Sequence, residues 1–357
     1  MTSTVPQRSA TISPQEQAQL DELYAAFEAA DMKPLWTQIG GLMPTSPLPD
    51  ALPMLWRWST LLPLAERAGE LVPVGRGGER RAIALANPGL PGTAYATPTL
   101  WAAIQYLGPR EEAPSHRHTQ TAFRFVVEGE GVWTVVNGDP VRMSRGDFLL
   151  TPGWNFHGHH NDTDQPMVWL DGLDIPIVRL FDASFAEPAN ADSQTVTRPE
   201  GDSLARYGAN MLPVDWHPTV KSSPVFNYPY ARSREALATL ARNGEPDACH
   251  GHKLRYVNPA SGESAMPTIG AFMQLLPAGF GGAPYRATDG TVFVAVEGEG
   301  ETVIGDTTFR WKPRDIFVVP SWHWHRHRAS GDAVLFSFSD RPVQEKLALW
   351  REERGHA

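Results

Sequence analysis

Two blocks of this sequence repeat each other at a nearly constant distance along the chain. The letters VVEGEG at 126–131 match AVEGEG at 295–300. The letters GDFLLTP at 146–152 match RDIFVVP at 314–320. The two offsets differ by a single position, so one deletion keeps the blocks in register. The repeat predicts two copies of a single structural module.

Short apolar segments within these blocks have the length and composition of β-strands. They are rich in Val, Phe, Trp and Leu and are separated by Gly, Pro and Asp, and a second series runs from Gly270 to Ser339. Glycine (31) and proline (32) make up 63 of 357 residues, well above the usual share of roughly 12%. We therefore predict a mainly β protein built from sandwiches or barrels. The strands predicted in the first module are Thr99–Leu107, Ala122–Val127, Gly131–Val136 and Asp147–Thr151.

Helices are predicted mainly outside the two modules. Residues 13–31 have apolar side chains at the helical period, with Ser13 as N-cap and Glu16 completing a capping box. Gly244 is expected at the C′ position of a later helix. The other predicted helices are 61–68, Arg232–Asn243 and Val343–Glu353.

The composition and the net charge limit the compartments and the partners that we expect for this protein. No apolar run approaches the ~20 residues of a membrane helix, and the first ten residues lack the layout of a signal peptide. Cys249 is the only cysteine, which excludes an intramolecular disulfide and a cysteine-rich metal site. A net charge of −9 argues against nucleic acid as a partner. We expect a cytoplasmic protein that binds neither nucleic acid nor membranes.

Three histidines of the first module have the spacing of metal ligands. His116 and His118 form an H-x-H pair, and residues i and i+2 of a strand point to the same face. His157 follows the predicted strand that ends at Thr151. Three neutral nitrogen ligands leave coordination positions free, as catalytic metal sites do. The alternative is that these are ordinary surface or core histidines.

The histidine spacing resembles the signature of the cupin family. The pattern H-x-H-x3-A-x6-G from His116 to Gly129 fits the first cupin motif from its histidines onward. The pattern G-x5-P-x-W-x2-H-x3-N from Gly146 to Asn161 fits the second motif, with Trp in place of the inner Gly. Ala122 stands where cupins that act on oxalate place a glutamate ligand.

The missing glutamate has a chemical consequence. Three imidazoles contribute no charge, so a bound divalent ion keeps its full +2 and favours an anionic chelating ligand. Deprotonated ortho-hydroxybenzoate supplies two negative oxygens, and a further open position can accept dioxygen. Such a site favours ring-cleaving oxygenation by Fe(II) over oxalate chemistry.

Further segments are similar to those of the gentisate 1,2-dioxygenase family. The resemblance implies a bicupin, with two double-stranded β-helix (jelly-roll) barrels, an N-terminal helical arm and short helices. It implies one Fe(II) per chain, in the N-terminal cupin, and cleavage of gentisate by O2 between C1 and C2 to give maleylpyruvate in aromatic catabolism. It also implies a homotetramer or a homodimer. The segments are LVPVGRGGERR (71–81), WAAIQY (101–106), HRH (116–118), FRF (123–125) and LDGLD (170–174).

The same resemblance assigns roles to individual side chains. The metal ligands would be His116, His118 and His157. The substrate carboxylate would meet Arg80 and Arg124, and the ring slot would be shaped by Trp101 and Ala103. The catalytic groups near the hydroxyls and oxygen would be Gln105, His159 and Asp171.

Each of these side chains also has an ordinary structural alternative. Arg124 could pair with a structural acid, and Arg80 with its neighbours could form a solvated basic loop. His159 could be a surface or supporting group. Asp171 could cap a turn, and Trp101 could belong to the core.

The second module lacks part of the metal motif. Alignment of the repeated glycines places Tyr285 and Ala287 where His116 and His118 stand. His325 matches His157 and belongs to the alternating group His323, His325 and His327. We expect this module to serve as scaffold and oligomer surface, with a second metal as the alternative.

The pattern divides the chain into five parts. They are an N-terminal helical and irregular arm at 1–80, a catalytic barrel at 81–182, a linker region with a helix at 183–265, a degenerate barrel at 266–342 and a C-terminal helix at 343–357.

Three alternative functions stay open. The substrate could be salicylate or 1-hydroxy-2-naphthoate in place of gentisate. The protein could be a non-oxidative metal cupin, such as an isomerase or a zinc hydrolase, although Ala122 leaves no general base after the H-x-H pair. It could also be a binding or storage bicupin without turnover.

Overall fold

The computed structural model describes residues 12–74, 78, 81–190 and 194–356. This part of the chain forms two units, one up to Leu48 and one from Pro49 onward. The elements are numbered in chain order. The helices are α1 (Pro14–Ala29), α2 (Ile39–Leu42), α3 (Trp58–Leu71), α4 (Ile175–Leu180), α5 (Asp202–Tyr207), α6 (Tyr230–Asn243) and α7 (Arg341–Lys346), with a 3-10 turn at Leu35–Thr37.

The strands fall into two series that match the sequence repeat. The first comprises β2 (Ala82–Ala84), β3 (Trp101–Leu107), β4 (Glu112–His118), β5 (Ala122–Glu128), β6 (Trp133–Val136), β7 (Asp139–Arg142), β8 (Phe148–Thr151), β9 (His157–His160), β10 (Met167–Leu173), β11 (Ala186–Pro188) and β12 (Asn227–Tyr228). The second comprises β1 (Met54–Trp56), β13 (His252–Arg255), β14 (Gly270–Leu276), β15 (Phe280–Gly281), β16 (Tyr285–Ala287), β17 (Thr291–Glu297), β18 (Gly300–Ile304), β19 (Thr307–Trp311), β20 (Ile316–Val319), β21 (His325–Ala329), β22 (Ala333–Ser339) and β23 (Glu352–Arg354).

In the first unit, α1 begins as predicted. The Glu16 backbone N–H donates to the Ser13 hydroxyl, and the Ser13 backbone N–H donates to the Glu16 carboxylate, which completes the capping box. The helix ends near Ala29 and is followed by a turn in which the Trp36 indole donates to the Tyr24 hydroxyl.

Each strand series forms a barrel of two antiparallel sheets. In the N-terminal barrel the strand orders are β12-β8-β5-β10-β3-β2 and β11-β4-β9-β6-β7. In the C-terminal barrel they are β1-β20-β17-β22-β14-β13 and β19-β18-β21-β16-β23, with β15 beside β21. The architecture confirms the prediction of a mainly β protein with two copies of one module.

Strand alternation sends neighbouring residues of the six-stranded sheets to two different cores. In β5, Phe123 and Phe125 face the other barrel, whereas Arg124 and Val126 face the interior of their own barrel. Both faces are therefore covered, so strands such as β5 are almost continuously apolar.

Aromatic rings dominate the core between the two barrels. The ring of Phe336 from β22 stacks on Phe125 from β5, with centroids 4.1 Å apart. Phe123 and Phe148 of the N-terminal barrel also contact Phe336. A shared core of this kind makes the stability of each barrel depend on the other.

Two segments differ from the predicted elements. β1 lies within the predicted N-terminal arm but pairs with β20 as an edge strand of the C-terminal barrel. The helix predicted over Val343–Glu353 is wrong in its second half, because α7 ends at Lys346 and β23 pairs with β16. Ala348 has a left-handed backbone with φ of 57°, which an α-helix cannot contain.

The remaining helix predictions hold with one correction. α6 ends at Asn243 as predicted, but Gly244 has φ of −165°, so it is an extended residue and not a left-handed C′ glycine. Each helix of the described ranges falls short of the length and apolar character that crossing a bilayer requires. The predicted domain boundaries at residues 80, 182, 265 and 342 stay a prediction.

Candidate metal centre

Three histidines converge inside the N-terminal barrel. His116 and His118 lie on β4, and His157 begins β9, directly opposite His116 in the strand register. One ring nitrogen of each residue lies within 4.8 Å of the others. The H-x-H pair and the third histidine therefore meet as the sequence predicts.

Backbone carbonyls fix the ring orientation of two of these histidines. Nδ1 of His118 lies 2.9 Å from the Gln120 carbonyl oxygen, and Nδ1 of His157 lies 3.0 Å from the Asn155 carbonyl oxygen. Because a carbonyl oxygen only accepts, Nδ1 must carry the proton in both rings. The lone pair is then on Nε2, the form in which an imidazole binds a metal.

The surroundings of His157 also keep its imidazole neutral. His157 is 1% exposed. Burial, the nearby positive charge of Arg124 and the other two histidines hold the pKa of His157 well below its usual value. No Asp or Glu of the described residues joins this histidine group. A neutral three-nitrogen set fits a divalent transition metal with coordination positions left for other ligands.

A buried cation lies beside the three histidines. Arg124 on β5 is 4% exposed, and its Nη1 donates to the Thr151 hydroxyl at 2.5 Å. Its Nε lies 3.7 Å from Oδ1 of Asp171 on β10. The structural pairing considered for Arg124 is therefore real, but Arg124 also lies close enough to His157 to lower its pKa.

Asp171 and His159 belong to one buried polar row. The Trp169 indole donates to Asp171 at 3.0 Å, and the ring of His159 lies 5.0 Å from the ring of Trp169. Nδ1 of His159 is 2.8 Å from the Thr134 hydroxyl. Asp171 lies within a strand, so the alternative of a turn cap is wrong.

The predicted slot residues lie on β3 and face the same interior. Trp101, Ala103 and Gln105 alternate along this strand, and their register partners on β10 are Leu173, Asp171 and Trp169. Asp171 is also the register partner of Arg124. The sheet thus places Ala103, Asp171 and Arg124 in one row across the barrel wall.

The sequence of this chain is similar to those of known proteins. A cupin-domain family model matches residues 103–173 and 271–338. A gentisate 1,2-dioxygenase of Aquipseudomonas alcaligenes is 52% identical over 93% of this chain and 96% of its own length. The chain belongs to the gentisate 1,2-dioxygenase family. A gentisate 1,2-dioxygenase of Streptomyces is also 52% identical, over 95% of this chain and 97% of the relative.

Solved structures agree with the membership of this dioxygenase family. A single-site variant of salicylate 1,2-dioxygenase from Pseudoaminobacter salicylatoxidans, solved in complex with gentisate, has a TM-score of 0.91 to this chain. Its identity is 47%, covering 98% of this chain and 99% of the neighbour. The chain is therefore an enzyme, a ring-cleaving dioxygenase with the bicupin fold. The isomerase, hydrolase and storage alternatives find no support in these relatives.

One predicted site residue of this dioxygenase lies outside the described residues, namely Arg80. Its neighbour Arg81 is buried and forms an ion pair with Glu111, and it lies against the ring of Tyr106. The alternative of a solvated basic loop is therefore wrong for Arg81.

Three further side chains of the dioxygenase site were not predicted from the sequence. The Thr151 hydroxyl accepts a hydrogen bond from Arg124, and the Trp169 indole donates one to Asp171. The Thr134 hydroxyl is hydrogen-bonded to His159. Strand alternation could have placed each of them inside the barrel. A second signal was the repeat, because Thr302 and His327 are the repeat equivalents of Thr134 and His159 and make the same 2.8 Å contact.

The C-terminal barrel keeps this architecture without the metal ligands. Tyr285 faces His325 in the strand register as His116 faces His157. Ala287 occupies the position of His118. Among the described residues no second group of three metal-binding side chains meets, and the absence of a metal from this barrel stays a prediction.

Proposed function

We propose that this enzyme is an Fe(II)-dependent dioxygenase that opens gentisate between its carboxylate-bearing carbon and the adjacent hydroxylated carbon. The reaction adds both atoms of O2 and gives maleylpyruvate. The observation that carries this proposal is the group His116, His118 and His157, which no carboxylate of the described residues joins, beside a buried arginine. The 52% identity to gentisate 1,2-dioxygenases supports the choice of substrate.

The iron would be held by one ring nitrogen each of His116, His118 and His157, one ion per chain. When bound, such an ion would supply the positive charge and the open coordination positions that an anionic aromatic acid and dioxygen require. The carbonyls of Gln120 and Asn155 hold two of the rings in the tautomer that this binding needs.

Arg124 is the residue we assign to the substrate carboxylate. Its planar guanidinium matches a carboxylate, and its Nε is buried without a hydrogen bond in the described part of the chain. Asp171 lies too far from Nε, at 3.7 Å, for a strong hydrogen bond. A carboxylate ligand would therefore satisfy a donor that the protein leaves open. We assign Arg80 as a second cation for the same group.

The other interior side chains would orient the ring and handle protons. Nδ1 of His159 is hydrogen-bonded to the Thr134 hydroxyl, which orients the ring, and we assign this imidazole to a hydroxyl or oxygen of the reaction. Gln105 and Asp171 are buried on the same wall and offer polar atoms near the hydroxyls. Trp101 and Ala103 would bound the slot for the flat ring.

The direct test is dioxygen uptake by the metal-free protein with gentisate, with and without added ferrous ion. We expect uptake only with both gentisate and ferrous ion, and none in a His116→Ala variant supplied with excess iron. Turnover that persists in His116→Ala would contradict the ligand role. Turnover with Zn²⁺ in place of iron would contradict the oxidative chemistry.

Salicylate is the second candidate substrate, because the solved neighbour with a TM-score of 0.91 is a salicylate 1,2-dioxygenase variant. Gentisate carries a para hydroxyl that donates electrons to the ring, whereas salicylate does not and needs more activation by the site. Comparing kcat/KM for gentisate, salicylate and 1-hydroxy-2-naphthoate decides between them. We expect gentisate to be highest, and we place the enzyme in the cytoplasm as a homotetramer or homodimer.

A further inference from the structure

The C-terminal barrel contains a cavity of about 360 Å³ at the position equivalent to the metal site. Tyr285, Ala287 and His325 line it, and they replace His116, His118 and His157 of the other barrel. Phe293 fills the register position of Arg124, and it also lines the cavity. The degenerate barrel has thus lost its metal ligands and its arginine but has kept an open interior.

Lys253 brings a positive charge into this interior from a different strand. It lies on β13 opposite Gln274, and Gln274 matches Gln105 of the first barrel. Its Nζ is 4.8 Å from the ring centre of Phe272 and 6.0 Å from that of Phe293. Within the described part of the chain, Lys253 makes no hydrogen bond and no direct ion pair. Lys253 is half-buried, and a cation that is partly removed from water is stabilised when an anion binds beside it.

Both acidic residues that line the cavity accept hydrogen bonds from aromatic side chains. Asp289 accepts from the Trp350 indole at 2.9 Å, and Glu352 accepts from the Tyr285 hydroxyl at 3.0 Å. Arg255, Arg341 and Arg354 also line the cavity. Arg341 pairs with Glu345 outside the lining, whereas Arg354 pairs both with Asp247 outside it and with Glu352 within it. The lining therefore carries more positive than negative charge, although the whole chain is at −9.

Neutral histidines complete the wall. Burial holds the pKa of His250 at about 2 and that of His325 at about 4, so both rings are uncharged at neutral pH. Burial lowers the pKa of Lys253 to about 8, which leaves its ammonium largely protonated at pH 7. The cavity wall thus combines an excess of cationic side chains with uncharged imidazoles and aromatic rings, a set that recognises a small organic anion.

We propose that the cavity of the C-terminal barrel is a metal-independent binding site for a small organic carboxylate, whose carboxylate group pairs with Lys253 between Phe272 and Phe293. Aromatic acids and open-chain acids share this chemistry. The site is separate from the metal centre and does not depend on the reaction assigned to that centre.

The test is anaerobic calorimetric titration of the iron-loaded enzyme with benzoate, which lacks the hydroxyl needed to chelate a metal. Lys253→Met should weaken one class of benzoate binding by at least tenfold, whereas Lys253→Arg should retain it. Lys312→Met, on the exposed outer surface of the same barrel, is the matched control and should bind as the wild type does. Unchanged benzoate binding in Lys253→Met would overturn the proposal.

A second variant covers the case in which Lys253→Met fails to fold. Ala287→Phe fills the cavity and keeps the lysine, so it should also lose the binding, and wild-type binding in this variant would overturn the proposal. Parallel titrations with maleate and inorganic phosphate identify the ligand. Binding of benzoate or of maleate to the Lys253-dependent site supports the proposal and tells aromatic from open-chain acids. Displacement of both by equimolar phosphate would overturn the carboxylate assignment.

Discussion

Arg124→Met is the substitution that most sharply tests the assignment of the substrate carboxylate. Methionine has a similar length and no charge, so it removes the cation and the donor to Thr151 without opening a large cavity. In the free enzyme it also leaves Asp171 buried without its positive partner at 3.7 Å. The variant therefore affects both substrate binding and stability, and the two effects must be measured separately.

The size of each effect follows from the contacts. A hydrogen bond to a charged group contributes about 1.5–3 kcal/mol, which corresponds to a loss of roughly ten- to hundredfold in kcat/KM for gentisate. Breaking a buried ion pair costs about 3–5 kcal/mol of unfolding free energy. The double variant Arg124→Met with Asp171→Asn should recover part of the stability, because it removes the buried negative charge that Arg124 no longer balances, and should recover none of the kcat/KM.

The assay is initial-rate dioxygen uptake over a range of gentisate concentrations, together with urea unfolding of the same preparations. Arg81→Met is the matched control, because Arg81 is also buried and paired with an acid, and it lies against Tyr106, which packs on the core between the barrels. We expect it to lower stability and to leave kcat/KM within about twofold of wild type. If Arg124→Met is destabilised but keeps the kcat/KM of the wild type, the carboxylate role is wrong.

Three further outcomes are expected. The folded pKa of His325 is about 4, below the unfolded value near 6.5, so its stabilising contribution is present above pH 6.5 and falls by about 3 kcal/mol as the pH drops to 4. When the pH is lowered from 6.5 to 4, the unfolding free energy measured with urea should therefore fall less in His325→Gln than in the wild type. The exposed His217→Gln should lose as much as the wild type does. Phe336→Ala should lower the unfolding free energy by about 3–5 kcal/mol, because the ring is fully buried between the barrels, while Phe181→Ala, with an exposed ring, should change it by less than about 0.5 kcal/mol. Metal analysis after anaerobic loading should find about one iron per chain in the wild type and in His325→Gln and almost none in His116→Ala; two irons per wild-type chain would contradict the assignment to a single barrel.

The metal centre could be predicted because its determinants are local in sequence. Two histidines separated by one residue share a strand face by geometry alone, and the repeat identifies the module that carries them. The position of His157 opposite His116 then follows from the antiparallel pairing of β4 and β9. The sequence also shows alanine at position 122 in place of a glutamate ligand, and the described residues place no carboxylate in the histidine group.

The elements that could not be predicted depend on pairing between distant parts of the chain. β1 is very short, and it becomes a strand because β20, near the other end of the sequence, offers it an open edge. β23 forms for the same reason beside β16. Local propensity for such short segments is weak, so tertiary contacts decide their conformation.

The polar contacts within the barrels could be predicted only in part from the sequence. Alternation predicts which side chains point inward, but it does not give the distances that make Thr151, Trp169 and Thr134 partners of the site. In the C-terminal barrel, the sequence showed the loss of the histidine pair but gave no sign of Lys253, because the strand β13 that carries it lies before the repeated block.

The central claim, that one ferrous ion held by three uncharged imidazoles carries the activity, is tested most directly by anaerobic titration of the metal-free enzyme with ferrous ion. Gentisate-dependent dioxygen uptake is measured after each addition. We predict that uptake rises linearly and stops rising at one iron per chain, and that single alanine variants of His116, His118 and His157 show no uptake at any iron concentration. Saturation at two irons per chain, or activity restored by excess iron in any of the three variants, would contradict the account.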